Sequence, residues 1–272
     1  MSVPAKKCNF LIIKGLMVLM LLSLFAGCSH NDEETIFVSA SVTLKPPLLE
    51  IAERYLNTDP TANIVFNFGS SGILKQEIIT GIPADIFISS SAMPMTSLRK
   101  EGLMINSWPR ILCSDKLALI VREDSYNIHS FDDLLEPMVD KIAVGEGKFT
   151  SLGYYTYTLL NNLEWLEELM PKFVYAKDGV QALTYLKRNH VDAAISYASA
   201  VSRDDSIKVA ALAPQSDYPP VHFYVAMLKE AAPLAEVGDF ALFLLSKEAR
   251  EIFKDYGFDI DGNAHSYQRF KR

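Results

Sequence analysis

Short apolar runs typical of buried strands alternate with stretches of helical periodicity from about Thr35 onward. The predicted strands are Ile36–Val38, Ile64–Phe68, Asp85–Ser89, Leu117–Val121, Ile142–Val144, Phe173–Ala176, Val191–Tyr197 and Val221–Met227. The first predicted helix opens at Pro46-Pro47 and carries apolar positions from Leu48 to Leu56. The other predicted helices cover Gly72–Thr80, Leu152–Leu163, Gly179–Arg188 and a last segment that carries Phe240 to Tyr256. This alternation predicts an α/β fold with mostly parallel sheets flanked by helices, in two lobes between which the chain crosses more than once.

The first residues have the pattern of a secretory signal. Lys6 and Lys7 precede an apolar run from Leu11 to Ala26, whose only charged residue is Lys14 and which leads into Ala26-Gly27-Cys28. That exit resembles a bacterial lipoprotein cleavage box, with Phe25 where Leu or Val is usual. We therefore expect residues 1–27 to be a signal peptide, Cys28 to be lipidated and residues 28–34 to form a tether. The alternative is an ordinary cleaved signal with an incidental cysteine.

The net charge restricts the possible ligands. Cleavage before Cys28 removes three lysines and changes the formal charge from −7 to −10. An acidic protein lacks the basic footprint that nucleic acids require, and any bound anion must be held by local donors. Cys113 alone in the body cannot form an internal disulfide, and no Cys/His cluster has metal-ligand spacing. We expect Cys113 to be a buried apolar residue and predict no metal site.

Donors of hydrogen bonds occur at the ends of several predicted strands. Ser41 follows the first strand, Ser70 and Ser71 precede a helix, the turns 145–153 and 177–180 precede two later helices, and Tyr197 ends a strand. Ligands of open α/β sheets bind beyond the carboxyl ends of strands, and helix N-termini attract anions. Each serine taken alone is better explained as an N-cap, and Tyr197 taken alone as a core aromatic residue. Their joint occurrence favours an anion site that needs no lysine or arginine.

Several longer stretches resemble the molybdate-binding proteins of ABC importers. The matching stretches are Phe37-Val-Ser-Ala-Ser41-Val-Thr, Phe68-Gly-Ser-Ser71-Gly, Gly81-Ile-Pro83-Ala84-Asp85-Ile-Phe-Ile-Ser89 and Phe243 to Phe258. The resemblance covers about Thr35 to Ile260. It implies a type II periplasmic-binding fold, no enzymatic activity, no cofactor, and capture of molybdate or tungstate outside the cytoplasm for an ABC permease. We expect a monomer.

The resemblance also implies a set of ligand contacts and a division into lobes. The hydroxyls of Ser41, Ser71 and Tyr197 and the backbone N–H groups of Leu152 and Val180 match the family's contacts. Residues 35–113 with 203–272 are expected to form lobe 1, and residues 114–202 lobe 2. Thr150-Ser151-Leu152-Gly153 stands where the family usually has Val-Pro-Ala-Gly, and Glu146-Gly147 where Asp-Pro is common. These departures leave the choice among oxyanions open.

Two other classes of function remain as alternatives. A receptor on the same fold could take sulfate, phosphate, iron or a small organic anion. Phosphate carries a proton at neutral pH and requires an acceptor, which Asp178 or Glu146 could supply. An enzyme is less consistent with the sequence, because the chain has no nucleophile–base set, metal cluster or phosphate loop. Stabilisation by anions would separate a binder from an enzyme.

Overall fold

The computed structural model describes residues 35–147, 149–231 and 235–260. The expected signal peptide, Cys28 and the tether lie outside these residues. The described strands are β1 Thr35–Ser41, β2 Asn63–Gly69, β3 Ile86–Ser89, β4 Arg110–Asp115, β5 Leu117–Arg122, β6 Ile142–Gly145, β7 Phe173–Ala176, β8 Ala193–Tyr197, β9 Ile207–Leu212 and β10 Val221–Met227. The described helices are α1 Lys45–Leu56, α2 Ser71–Ile79, α3 Ala92–Lys100, α4 Ser151–Asn162, α5 Leu166–Leu169, α6 Gly179–Lys187, α7 Ala235–Phe243 and α8 Lys247–Asp255.

The strands form two five-stranded sheets, each the centre of one lobe. The first sheet has the order β2-β1-β3-β10-β4, and the second has the order β7-β6-β8-β5-β9. In the first sheet β1 pairs in parallel with β2 and β3, whereas β10 is antiparallel to β3 and β4. In the second sheet β6 pairs in parallel with β7 and β8, whereas β5 is antiparallel to β8 and β9. The two-lobed α/β prediction is confirmed, but the sheets are mixed where we predicted mostly parallel ones.

The position of β9 in the second sheet differs from one of the predicted lobe boundaries. The chain passes from β4 directly to β5 through Lys116, close to the predicted crossing. The expected second boundary, before residue 203, would place β9 in lobe 1. Instead β9 pairs with β5 along Ala118–Arg122, so the chain returns to the first sheet between Leu212 and Val221. The sequence of β9 has no clean period and gives no information about which sheet the strand joins.

The C-terminal helix of the prediction is two helices. α7 ends at Phe243 and α8 begins after Ser246, whose hydroxyl accepts a hydrogen bond from the backbone N–H of Ala249 at 3.2 Å. A serine at this N-cap position satisfies an orphan N–H group of a new helix. The apolar spacing continues across the break because both helices bury the same side against the first lobe, where Phe240 and Phe253 are fully buried.

A hydrogen bond between a side chain and the backbone fixes the start of β3 against β1. The Asp85 carboxylate accepts a hydrogen bond from the Phe37 N–H at 2.7 Å and thereby ties the start of β3 to β1.

Cys113 is 1% exposed, and burial raises the pKa of its thiol well above the usual value. It therefore behaves as the buried apolar residue that we expected. Within the ranges described, no helix is long and apolar enough to cross a membrane.

Candidate functional site

A small polar cavity lies between the two lobes, at the ends of strands from both sheets. Its lining consists of Ser41, Val42, Thr43, Ser70, Ser71, Ser90, Thr150, Ser151, Leu152, Asp178, Gly179 and Tyr197. The cavity volume is about 10 Å³, which corresponds to about one water molecule. A tetrahedral oxyanion is larger than one water molecule, so the side chains that line the cavity must shift when it binds.

In the first lobe, two serines occupy N-cap positions without acting as caps. Ser41 ends β1 and precedes a 3-10 turn over Val42–Leu44, and Ser70 precedes α2, but neither side chain makes a capping hydrogen bond. The interpretation of these serines as N-caps is therefore wrong. Ser71, the first residue of α2, is also buried. Because capping does not use these hydroxyls, they are available to a ligand in the cavity.

Ser71 is held by the turn that follows β3. Its hydroxyl oxygen accepts a hydrogen bond from the Ser90 N–H at 3.0 Å and lies 3.1 Å from the Ser90 hydroxyl oxygen. Sequence reasoning identified Ser71 but missed Ser90 and Ser91. The signal that could have identified them is the serine run Ser89-Ser90-Ser91 between a buried strand and a helix, which has the same pattern as Ser70-Ser71.

In the second lobe, two helices present their first turns towards the cavity. The Thr150 hydroxyl accepts a hydrogen bond from Gly153 N–H at 2.8 Å before α4, and the Asp178 carboxylate accepts one from Gln181 N–H at 2.8 Å before α6. Each cap satisfies the third residue of its helix. The N–H groups of the first two residues have no partner within the helix. These are Ser151 and Leu152 in α4, and Gly179 and Val180 in α6.

The structure places Leu152 and Val180 differently. Leu152 is 2% exposed and lines the cavity. Val180 is 49% exposed and borders an adjacent groove, whereas its neighbour Gly179 lines the cavity. The structure therefore brings Ser41, Ser71, Leu152 and Tyr197 together and leaves the Val180 side chain outside. Any contribution of Val180 to ligand binding has to come from its backbone N–H group.

Tyr197 provides the most informative polar group of the cavity. The residue ends β8 and is 2% exposed, and its hydroxyl has no hydrogen-bond partner among the described residues. Its ring packs against Phe223 of the first lobe, with centroids 5.9 Å apart. Burial raises the pKa of Tyr197, and a weak side-chain interaction with Ser90, at a geometry short of a hydrogen bond, lowers it only in part. The hydroxyl is therefore a protonated donor, and leaving it unpaired costs about 1–3 kcal/mol.

The cavity lining carries almost no charge. Among the lining residues that the structure describes, Asp178 is the only carboxylate, and none is a lysine or arginine. Lys75 borders a neighbouring groove instead, and Lys148 lies outside the described residues. The described residues also contain no group of three His, Cys, Asp or Glu side chains that could hold a metal ion. Neutral donors around a cavity with one capping carboxylate favour an anion over a cation.

The two lobes contact each other directly around this cavity. The hydroxyl oxygens of Ser91 and Ser151 lie 2.8 Å apart across the cleft, and the Tyr155 hydroxyl donates to the Ser90 carbonyl at 3.3 Å. A Cβ atom on Gly72 would lie 2.4 Å from the Phe149 carbonyl oxygen, so the backbones meet here without room for a side chain. The structure therefore represents lobes that are closed over the cavity.

A fold of two α/β lobes closed over a polar cavity defines a binding protein that holds a small solute in its cleft. Residues 36–259 match the family described as bacterial extracellular solute-binding protein, and the chain belongs to this family. Its homologues are solute-binding transport proteins and not enzymes.

Similar proteins place the chain close to molybdate-binding proteins. It is 29% identical to the molybdate-binding protein ModA of Escherichia coli over 242 residues. This alignment covers 86% of this chain and 93% of that protein. It is 28% identical over 246 residues to YvgL of Bacillus subtilis, assigned as an ABC transporter substrate-binding lipoprotein, with 88% and 94% covered. A solved substrate-binding domain assigned to a molybdenum ABC transporter of Clostridium difficile is 31% identical with a TM-score of 0.67, and 84% of this chain and 99% of that chain are covered. The resemblance on which we based the predicted fold is confirmed.

Proposed function

We propose that this protein captures a tetrahedral oxyanion, molybdate or tungstate, outside the cytoplasm and delivers it to an ABC permease. The observation that carries the proposal is the buried, unpartnered hydroxyl of Tyr197 in a lining of neutral donors. In this proposal Ser41, Ser71 and Tyr197 donate hydroxyls, and the N–H groups at Leu152 and Val180 complete the shell. Several charge-assisted hydrogen bonds, each worth about 1.5–3 kcal/mol, can offset the desolvation of a dianion.

The composition of the cavity bears on the alternative ligands. A ferric ion requires several anionic oxygen ligands, and the described lining offers one phenol and one carboxylate. A protonated phosphate requires an acceptor, and one oxygen of the Asp178 carboxylate already caps α6. The Glu146 side chain is exposed. Sulfate has no proton and fits the same donors, so size is the property that would separate it from molybdate.

A calorimetric and thermal-shift panel on the purified mature protein tests this proposal. The panel contains molybdate, tungstate, sulfate, phosphate and citrate as sodium salts. We expect molybdate and tungstate to raise the melting temperature and to bind at least tenfold more tightly than sulfate or phosphate. Stabilisation by phosphate or citrate alone would assign the protein to another solute, and no response to any anion would contradict an oxyanion receptor.

A further inference from the structure

The turn between β3 and α3 contacts the candidate ligand site on one side and the second lobe on the other. Ser90 and Ser91 form this turn and are 4% and 2% exposed. Ser90 bonds Ser71 through its N–H and hydroxyl, and its carbonyl accepts from Tyr155 of the second lobe. Ser91 faces Ser151 of the second lobe. The same two residues therefore touch a proposed ligand donor and the surface that closes over it.

Counting hydrogens leaves two arrangements of this network, which differ in whether the Ser71 or the Ser90 hydroxyl donates. A serine hydroxyl has one hydrogen and can accept two hydrogen bonds. The Ser71 oxygen already accepts from the Ser90 N–H at 3.0 Å. If it also accepts from the Ser90 hydroxyl at 3.1 Å, its only hydrogen is free to point into the cavity. An acceptor in the cavity favours this arrangement, because the chain from Ser90 through Ser71 then polarises in one direction.

Ser91 lies at the N-cap position of α3 but does not cap that helix. Its side chain makes no capping hydrogen bond and instead lies 2.8 Å from the Ser151 hydroxyl across the cleft. Its backbone is held by Ser89, whose hydroxyl donates to the Ser91 carbonyl at 2.8 Å. Ser151 is part of the stretch that departs from the family pattern described above. This contact therefore depends on a hydroxyl that the usual proline at this position lacks.

We propose that the Ser90–Ser91 turn is a positioning element that orients the Ser71 hydroxyl towards the ligand and couples ligand binding to closure of the second lobe. The inference rests on the proposed function, because it assigns a role around the same oxyanion site. Ser90 acts through Ser71, and Ser91 acts through Ser151. Neither residue has to contact the ligand.

Two double-mutant cycles with sodium molybdate, followed by titration calorimetry on the mature protein, test the inference. Ser90→Ala should weaken binding about three- to tenfold in the wild-type background and have no further effect in the Ser71→Ala background. Ser91→Ala should cause a similar loss that vanishes in the Ser151→Ala background. Ser97→Ala, a partly buried serine on α3 outside the cavity, should leave the affinity unchanged.

A third variant keeps the test informative if a serine substitution disturbs folding. Tyr155→Phe removes the bond to the Ser90 carbonyl from the second lobe without altering the turn itself, and it should also weaken molybdate binding about threefold. Wild-type affinity in Ser90→Ala and Ser91→Ala, or losses that add fully to those of Ser71→Ala and Ser151→Ala, would overturn the positioning role while leaving the oxyanion receptor intact. A wild-type protein that binds no oxyanion would overturn both.

Discussion

At the scale of single residues, the site is characterised by hydroxyl groups that the protein buries without using them internally. Tyr197 has an unpartnered buried hydroxyl, and so does Ser70 next to Ser71. Burying a polar group without a partner destabilises the folded state, so retaining one in a cavity is best explained by a ligand that accepts its hydrogen. Tyr155 differs, because its hydroxyl donates to the Ser90 carbonyl.

This difference gives opposite expectations for two matched substitutions. Tyr197→Phe removes an unsatisfied group, so the ligand-free protein should be as stable as the wild type or about 1 kcal/mol more stable, while molybdate affinity falls about ten- to a hundredfold. Tyr155→Phe removes a satisfied group and should lower ligand-free stability by about 1 kcal/mol. Denaturant unfolding without ligand and calorimetry with molybdate measure both effects. A large loss of ligand-free stability in Tyr197→Phe would mean that the hydroxyl has an internal partner.

The sequence supported part of this arrangement. Ser41, Ser71 and Tyr197 could be identified because strand ends and helix starts are readable from periodicity, and residues at those points share one edge of a sheet. The exposed position of Val180 could not be identified, because which residue of a helix's first turn faces the cavity depends on the helix orientation. Ser90 and Ser91 were missed because their roles depend on contacts with Ser71 and Ser151, which are distant in sequence.

At the scale of elements, closure brings the start of α2 against the loop before α4. Gly72 lies in α2, and its Cα faces the Phe149 carbonyl with no room for a Cβ atom. Gly72→Ala should leave the isolated helix intact, since alanine favours helix, but should hold the lobes apart. We expect at least a tenfold loss of molybdate affinity by calorimetry. Gly238→Ala in α7 is the matched control, because nothing lies within 4 Å of its added Cβ. Equal affinities in the two variants would show that this contact is not part of the bound state.

The elements themselves were largely predictable, and the misses have physical causes. Phe173–Ala176 and Val221–Met227 match β7 and β10, since Lys177-Asp178-Gly179 follows the first run and Pro219-Pro220 precedes the second. α3, β4 and β9 were not predicted, because their sequences mix polar and apolar positions without a clean period. The antiparallel direction of β5 and β10 follows from where the chain crosses between the lobes, which is a property of the tertiary structure.

At the scale of the whole molecule, a buried carboxyl lies where the chain first crosses between lobes. Asp115 accepts hydrogen bonds from the N–H groups of Lys116 at 2.7 Å and Ser199 at 3.2 Å. Burial raises its pKa to about 7, against the hydrogen bonds from Ser199 and Lys116. Because this pKa exceeds that of an unfolded carboxyl, the folded state binds the extra proton. The resulting stabilisation is complete below about pH 4 and is lost as pH rises through 7.

Substitution of this carboxyl should remove that dependence. We expect the free energy of unfolding of the wild type to fall by up to about 4 kcal/mol between pH 4 and pH 8 relative to Asp115→Asn. Denaturant unfolding of both proteins across this range measures the difference. Asp133→Asn is a control with the opposite expected pH dependence of stability. Hydrogen bonds from the N–H groups of His129 and Ser130 lower the pKa of Asp133, so its carboxylate stabilises the fold as the pH rises. Parallel pH profiles for Asp115→Asn and the wild type would contradict a titrating carboxyl at the crossing.

Attachment to the membrane is a separate property of the whole molecule, and the proposed anchor is Cys28. Wild-type protein should partition into detergent or with membranes, while Cys28→Ser should be secreted or remain unprocessed. Fractionation and the mass of the N-terminal peptide check this expectation. Cys113→Ser serves as the control, because that buried thiol takes no part in processing. A processed wild-type protein without lipid would contradict the anchor and leave the solute-binding role unchanged.

The central claim is that neutral donors hold the oxyanion, and titration of molybdate into matched variants tests it most directly. Ser71→Ala removes a proposed donor inside the cavity, whereas Lys75→Ala removes a positive charge from the adjoining groove. We expect calorimetry to show that Ser71→Ala weakens the affinity about ten- to a hundredfold and that Lys75→Ala changes it less than about threefold. The affinity of the wild type should depend little on added sodium chloride. Loss of binding in Lys75→Ala together with wild-type affinity in Ser71→Ala would contradict the account.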